Sequence, residues 1–93
     1  MDIRKDAERW TVLLGLEIKG ALSAHGVLQS DLVSELGISD VTLSRWLNGH
    51  RPMQAWAVIA IAWKIDEPIS ELFARADRRL AVEHAASRHQ GSP

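Results

Sequence analysis

QSDLVSELGISDVTLSRWLN, residues Gln29 to Asn48, is the stretch that decides how this chain folds. Leu32 and Leu36 stand four apart, and Leu43 and Trp46 three apart, the spacings at which side chains share one helix face. Between the two pairs Gly37 ends the first helix, and Ile38 places an apolar plug in the turn. Ser39 carries the hydroxyl of a good N-cap. Asp40, Val41, Thr42, Ser44 and Arg45 then fall between the buried positions and face outward. The pattern predicts a helix-turn-helix whose second helix fits a DNA major groove.

An ordinary helical hairpin in a bundle has the same apolar spacing. The run Asn48-Gly49-His50-Arg51-Pro52 separates the two readings. Asn-Gly ends the helix with a residue able to take positive φ, and Pro52 forces a stop before the next helix. His50 and Arg51 fall in that exposed turn, where a cation reaches a phosphate beside the groove.

From Leu22 to Phe73 the chain resembles the Cro and phage-repressor type of helix-turn-helix, the xenobiotic-response-element family of transcriptional regulators. The pieces that carry the resemblance are Gln29, Leu32, Leu36-Gly37-Ile38-Ser39, Leu43-Ser44-Arg45-Trp46, Gly49 and Arg51-Pro52. Three places depart from the family's usual pattern. Val33 stands where alanine is common, Leu28 where Ser or Thr usually caps the first motif helix, and Lys64 where glycine commonly ends the fourth helix. The resemblance implies an all-α, compact five-helix, lambda-repressor-like domain with extended first and last helices. It also implies that Asp40, Val41 and Arg45 read base edges with Ser44 nearby, while Gln29, Ser39, Asn48, His50 and Arg51 lie at or near the DNA backbone.

At 93 residues the chain holds one domain, taken as residues 1–88 with a disordered tail over 89–93. An apolar share of 46% and a charged share of 25% fit a soluble globule. The absence of cysteine excludes disulfides and thiolate metal sites, and suits a reducing cytoplasm. Met1 to Asp6 leads into a mixed-charge helix rather than a signal peptide, and no apolar run has the length of a membrane span. A formal net charge of −1 counts against a DNA binder, because phosphate neutralisation supplies much of the affinity. Local clustering of Arg45, His50 and Arg51 compensates in part. Few cations per copy imply that two copies act together.

Asp2 to His25 reads as one long helix with Trp10, Leu13, Leu14, Glu17/Ile18, Ala21 and Leu22 as its stripe, although Gly15 and Gly20 weaken it. Met53 to Ile65 is apolar all round and predicts a central buried helix, with Trp56, Ile59/Ala60 and Trp63 on one face. Trp46, Trp56 and Trp63 are expected in the core, and Trp10 in the core or at a partner interface. Pro68 opens a last helix from Ile69 to about Arg88, with Ile69, Leu72, Phe73, Ala76 and Leu80 as its buried stripe. Arg75, Arg78, Arg79 and Arg88 on that helix are either an accessory phosphate contact or a solvated outer face.

Catalysis finds no support: there is no glycine-rich nucleotide loop, and His25, His50, His84 and His89 are scattered without zinc spacing. No metal or cofactor is expected. The reading is a sequence-specific double-stranded DNA-binding regulator of repressor type, a homodimer on an inverted-repeat operator, with Leu72, Ala76 and Leu80 as dimer interface. An antitoxin that also binds a toxin, and a helical protein–protein adaptor, are the alternatives.

Overall fold

Five helices follow one another in a computed structural model that describes residues 2–90 and the side chains of residues 2–87: α1 (Ile3–Ala24), α2 (Gln29–Leu36), α3 (Asp40–Leu47), α4 (Ala55–Lys64) and α5 (Ile69–Gln90). No strand occurs among the described residues, and no single helix among them is long and apolar enough to cross a membrane. The segment from Met53 to Ile65, on which an all-helical core depends, is helical from Ala55. Residues 91–93 of the expected tail lie outside the described residues, and α5 continues to Gln90.

The Asp2 carboxylate accepts from the Lys5 backbone N–H at 3.1 Å and so caps α1. Neither glycine within α1 interrupts it. Leu14, Ile18, Ala21 and Leu22 are buried as their spacing predicts, against Leu32 of α2, Leu43, Trp46 and Leu47 of α3, and Val58, Ile61 and Ala62 of α4; Leu13 is buried as well, outside this cluster. From α5, Leu72 and Ala76 complete this single core, and no polar or charged residue is buried with them among the described residues.

The outer helices, each of 22 residues and so about 33 Å long, pack along one another and give the molecule an extent of 50 Å. Their pairing is fastened by polar contacts. Arg9 Nε donates to Glu83 Oε2 at 2.9 Å, and its Nη2 grips the other carboxylate oxygen. Arg79 pairs with Glu17, and His84 Nε2 lies 3.3 Å from Asp6 Oδ1. Trp10 settles into this seam: its indole N–H donates to Asp77 Oδ1 at 2.7 Å and its ring meets Phe73 edge-on at 5.1 Å.

Hydrogen bonding from Arg9 holds the Glu83 carboxyl below the usual carboxylate range, opposed by its desolvation. A carboxylate whose folded value is depressed adds stability above its unfolded value, and that stability disappears as pH falls through the folded value. Because the pair is substantially exposed, its contribution is a few tenths of a kcal/mol, about the size measured for surface ion pairs. Acid titration of unfolding should therefore show Glu83→Gln losing stability relative to the parent at neutral pH. The two should converge as pH falls below the usual carboxylate range. A gap that stays constant down to pH 2 would contradict the ionic origin.

Two expectations about the core are corrected. In α4 the buried residues are Ala57, Val58, Ile61 and Ala62, with Ile65 after them. Trp56, Ile59 and Trp63 face outward at 46%, 36% and 77% exposure. A helix apolar on every side has no contrast from which to read its inner face, and packing brings the small side chains inward. Only Trp46 of the three expected core tryptophans is buried, at 4%. In α5, Leu72 and Ala76 are buried within one protomer, which leaves them no surface for the expected dimer interface. Leu80 is half-buried, Ile69 is half-buried, and Phe73 is exposed beside Trp10.

Candidate nucleic-acid interface

Gly37 and Gly49 set the geometry of the motif. Gly37, at φ 68°, takes the left-handed conformation that ends α2, and its N–H donates to the Val33 carbonyl at 3.0 Å. Gly49, at φ 77°, ends α3: its N–H reaches the Trp46 carbonyl, and the next N–H, of His50, donates to the Arg45 carbonyl at 2.9 Å. That pairing folds the chain back tightly enough to leave His50 and Arg51 exposed beside the end of α3.

Leu32, Leu43, Trp46 and Leu47 anchor the two helices inward, with Val33, Leu36 and Ile38 packed half-buried around them. The opposite face of α3 is open. Asp40, Val41, Ser44 and Arg45 are all exposed on it, Val41 to 57%. An exposed valine in a row of short polar residues suits contact with a thymine methyl. Asp40 sits in the first turn of α3, where the helix dipole also favours a carboxylate.

The backbone-contact group divides. Gln29 is exposed at the first residue of α2, and its predecessor Leu28 makes no side-chain cap, so the first N–H groups of α2 keep free donors for an anion. His50 and Arg51 are exposed as expected. Ser39 is already occupied: its Oγ accepts from the Thr42 N–H at 3.1 Å and shares a further hydrogen bond with Thr42 Oγ1 at 2.9 Å. Its role here is to cap α3. Asn48 is occupied too. Its amide donates to the Ser44 carbonyl at 2.8 Å and to Ser44 Oγ at 3.2 Å, and its Oδ1 accepts from Lys19 Nζ at 2.6 Å.

Lys19 is the residue that sequence reasoning missed. It belongs to the exposed side of α1, 29 positions before Asn48, and only the packing of α1 against α3 brings its ammonium to the end of the motif. One of its three N–H groups serves Asn48, leaving two for another acceptor.

Charge pairing distinguishes this face from the others. Arg4 pairs with Glu8, Arg9 with Glu83, Lys64 with Glu35, Arg75 with Glu67 and Glu71, Arg78 with Glu71, and Arg79 with Glu17. Arg45 and Arg51 have no carboxylate partner among the described residues, and Lys19 contacts only a neutral amide. Among the lysines and arginines with described side chains, Lys5, near the start of α1, also lacks one. The arginines of α5 with described side chains are thus spent on internal ion pairs, which accords with a solvated outer face.

No protein-family model, curated protein or solved structure matches the chain. The case for this surface therefore rests on its own chemistry. Two support contacts hold it in place from behind. Trp46 meets Trp56 of α4 edge-on, ring centres 6.3 Å apart, and the Trp46 carbonyl lies against Gly15 of α1 with no room for a side chain between them. α3 is thereby braced from two sides, and its exposed residues stand on a rigid support.

Proposed function

We propose that the chain is a sequence-specific double-stranded DNA-binding protein, a small transcriptional regulator of repressor type that works as a homodimer. α3 enters the major groove, and α2 lies across the phosphate backbone. The observation that carries this reading is the concentration of uncompensated cations, Arg45, Arg51 and Lys19, around one exposed helix, where the other lysines and arginines with described side chains, Lys5 apart, are paired with carboxylates. An overall charge of −1 does not oppose it, since field at the docking surface matters more than the sum. Arg45 donates two hydrogen bonds to guanine O6 and N7, Asp40 accepts from a cytosine amine, and Val41 meets a thymine methyl. Lys19, Arg51 and the amino end of α2 hold phosphates and set the register.

Selection of bound sequences from a random duplex pool tests the proposal. The expected result is enrichment of an inverted repeat whose half-sites lie about 34 Å apart, one helical turn. Recovery of no motif, with equal affinity for all duplexes, would reject sequence-specific reading.

A further inference from the structure

We infer that Asn48 fixes the hydrogen-bonding sense of Ser44, so that this serine offers its hydroxyl hydrogen to a base edge and turns cytosine away; the inference rests on the DNA-binding reading. An unconstrained serine hydroxyl both donates and accepts, and serine therefore pairs with either kind of base edge. Ser44 is exposed on the open face of α3, with Val41 one turn before it and Asn48 one turn after it. Its Oγ is not free to choose. The Asn48 amide nitrogen lies 3.2 Å from that oxygen and 2.8 Å from the Ser44 carbonyl oxygen.

Which end of the amide faces Ser44 follows from what each neighbour is able to do. A carbonyl only accepts, so the NH2 group faces the Ser44 carbonyl; an ammonium only donates, so Oδ1 faces Lys19 Nζ at 2.6 Å. The two constraints agree. With one amide hydrogen on the carbonyl, the other points at Ser44 Oγ, and an amide nitrogen accepts nothing in return. The serine oxygen is therefore an acceptor toward Asn48, and its own hydrogen is left for a further acceptor. Accepting a hydrogen bond also polarises the O–H and strengthens it as a donor, by about 10–30%. The remaining lone pair is the poorer partner, because a second donation to the same oxygen opposes the first. Base edges then sort by what they present. In the major groove adenine, guanine and thymine each carry an acceptor, at N7, O6 or O4, whereas cytosine carries only its N4 donor. A serine committed to donation is satisfied by the first three and meets cytosine donor against donor.

Selection from a random duplex pool, repeated on variants at these exposed positions, tests the inference. Ser44→Ala marks the position that Ser44 reads, as the one whose preference relaxes. There the parent should disfavour cytosine about fivefold, the worth of one neutral hydrogen bond. Asn48→Ala, which frees the hydroxyl to turn, should level that position and leave the rest of the motif in place. Asn48→Asp is the decisive variant, because a carboxylate only accepts. Ser44 then donates to residue 48 and presents lone pairs to the groove. Cytosine should become favoured at that position, and guanine and thymine, which offer no donor there, disfavoured. A residue that merely ended α3 would not exchange one base for another. Lys19→Ala should not move the position, since the Ser44 carbonyl still orients the amide. In the free protein, the side-chain amide protons of Asn48 should exchange with solvent several-fold more slowly than those of the exposed Gln29. Three results overturn the inference while leaving the regulator reading standing: cytosine as frequent as the other bases at that position, an Asn48→Asp profile identical to the parent's, or exchange as fast as that of Gln29. If no duplex is enriched, the reading and the inference fall together.

Discussion

Gly15→Ala should destabilise the protein by about 2 kcal/mol and loosen α3. A Cβ at this position would stand 2.3 Å from the carbonyl oxygen of Trp46 and 3.4 Å from its carbonyl carbon. Both atoms are backbone, so no rotamer change relieves the overlap; α1 must retreat or α3 must move. Overpacking of this depth falls at or above the ~3 kcal/mol end of its usual range, and alanine's better helix propensity returns about 1 kcal/mol. The displaced carbonyl belongs to the last turn of α3, so its shift carries Arg45 and the Lys19–Asn48 contact with it. Gly20→Ala is the matched control in the same helix. Its added Cβ meets nothing within 4 Å, and it should stabilise by about 0.5–1 kcal/mol. Urea unfolding of both variants decides the matter. Equal changes of the same sign would mean that α1 and α3 do not approach so closely in solution.

Arg45→Ala and Arg51→Ala should separate specificity from affinity. If Arg45 holds a guanine edge, its loss costs roughly 1–3 kcal/mol on the preferred duplex and relaxes one base position in each half-site. Arg51, assigned to phosphate, should when removed weaken all duplexes alike and flatten the salt dependence by about one unit per half-site. Asp40→Asn is the informative companion. A carboxylate beside phosphates is tolerable only with a donor opposite, so the amide should raise non-specific affinity while shifting base preference. Lys19→Ala should follow Arg51 in kind, since its ammonium stands beside the motif rather than on its reading face. Binding profiles across many duplexes provide the measurement. If Arg45→Ala and Arg51→Ala fall in parallel on every sequence, the base-reading assignment is wrong.

Much of the architecture was legible because it depends on neighbours within a few residues. The Leu32/Leu36 and Leu43/Trp46 spacings, the Ser39 cap and the Gly37 and Gly49 stops are local properties, and the helices begin and end where those residues predict. The exposure of Asp40, Val41, Ser44 and Arg45 follows from the same spacing, and that of His50 and Arg51 from the Asn48-Gly49 and Pro52 stops around them. Ser39 caps α3 as its hydroxyl predicts, whereas the hydrogen bonds of Asn48 to Ser44 and to Lys19 are not legible from residue type, the second because its partner stands 29 positions away.

The sequence by itself determined that this is an all-helical chain with a two-helix motif and which residues that motif turns outward. Tertiary structure alone decided that Trp56 and Trp63 face solvent, that Leu72 and Ala76 are core, that Gly15 is a point of contact, and that Lys19 joins the motif. The reason is physical. Helix formation and termination are governed by residues three or four apart, whereas the inner face of a uniformly apolar helix is chosen by the helices around it.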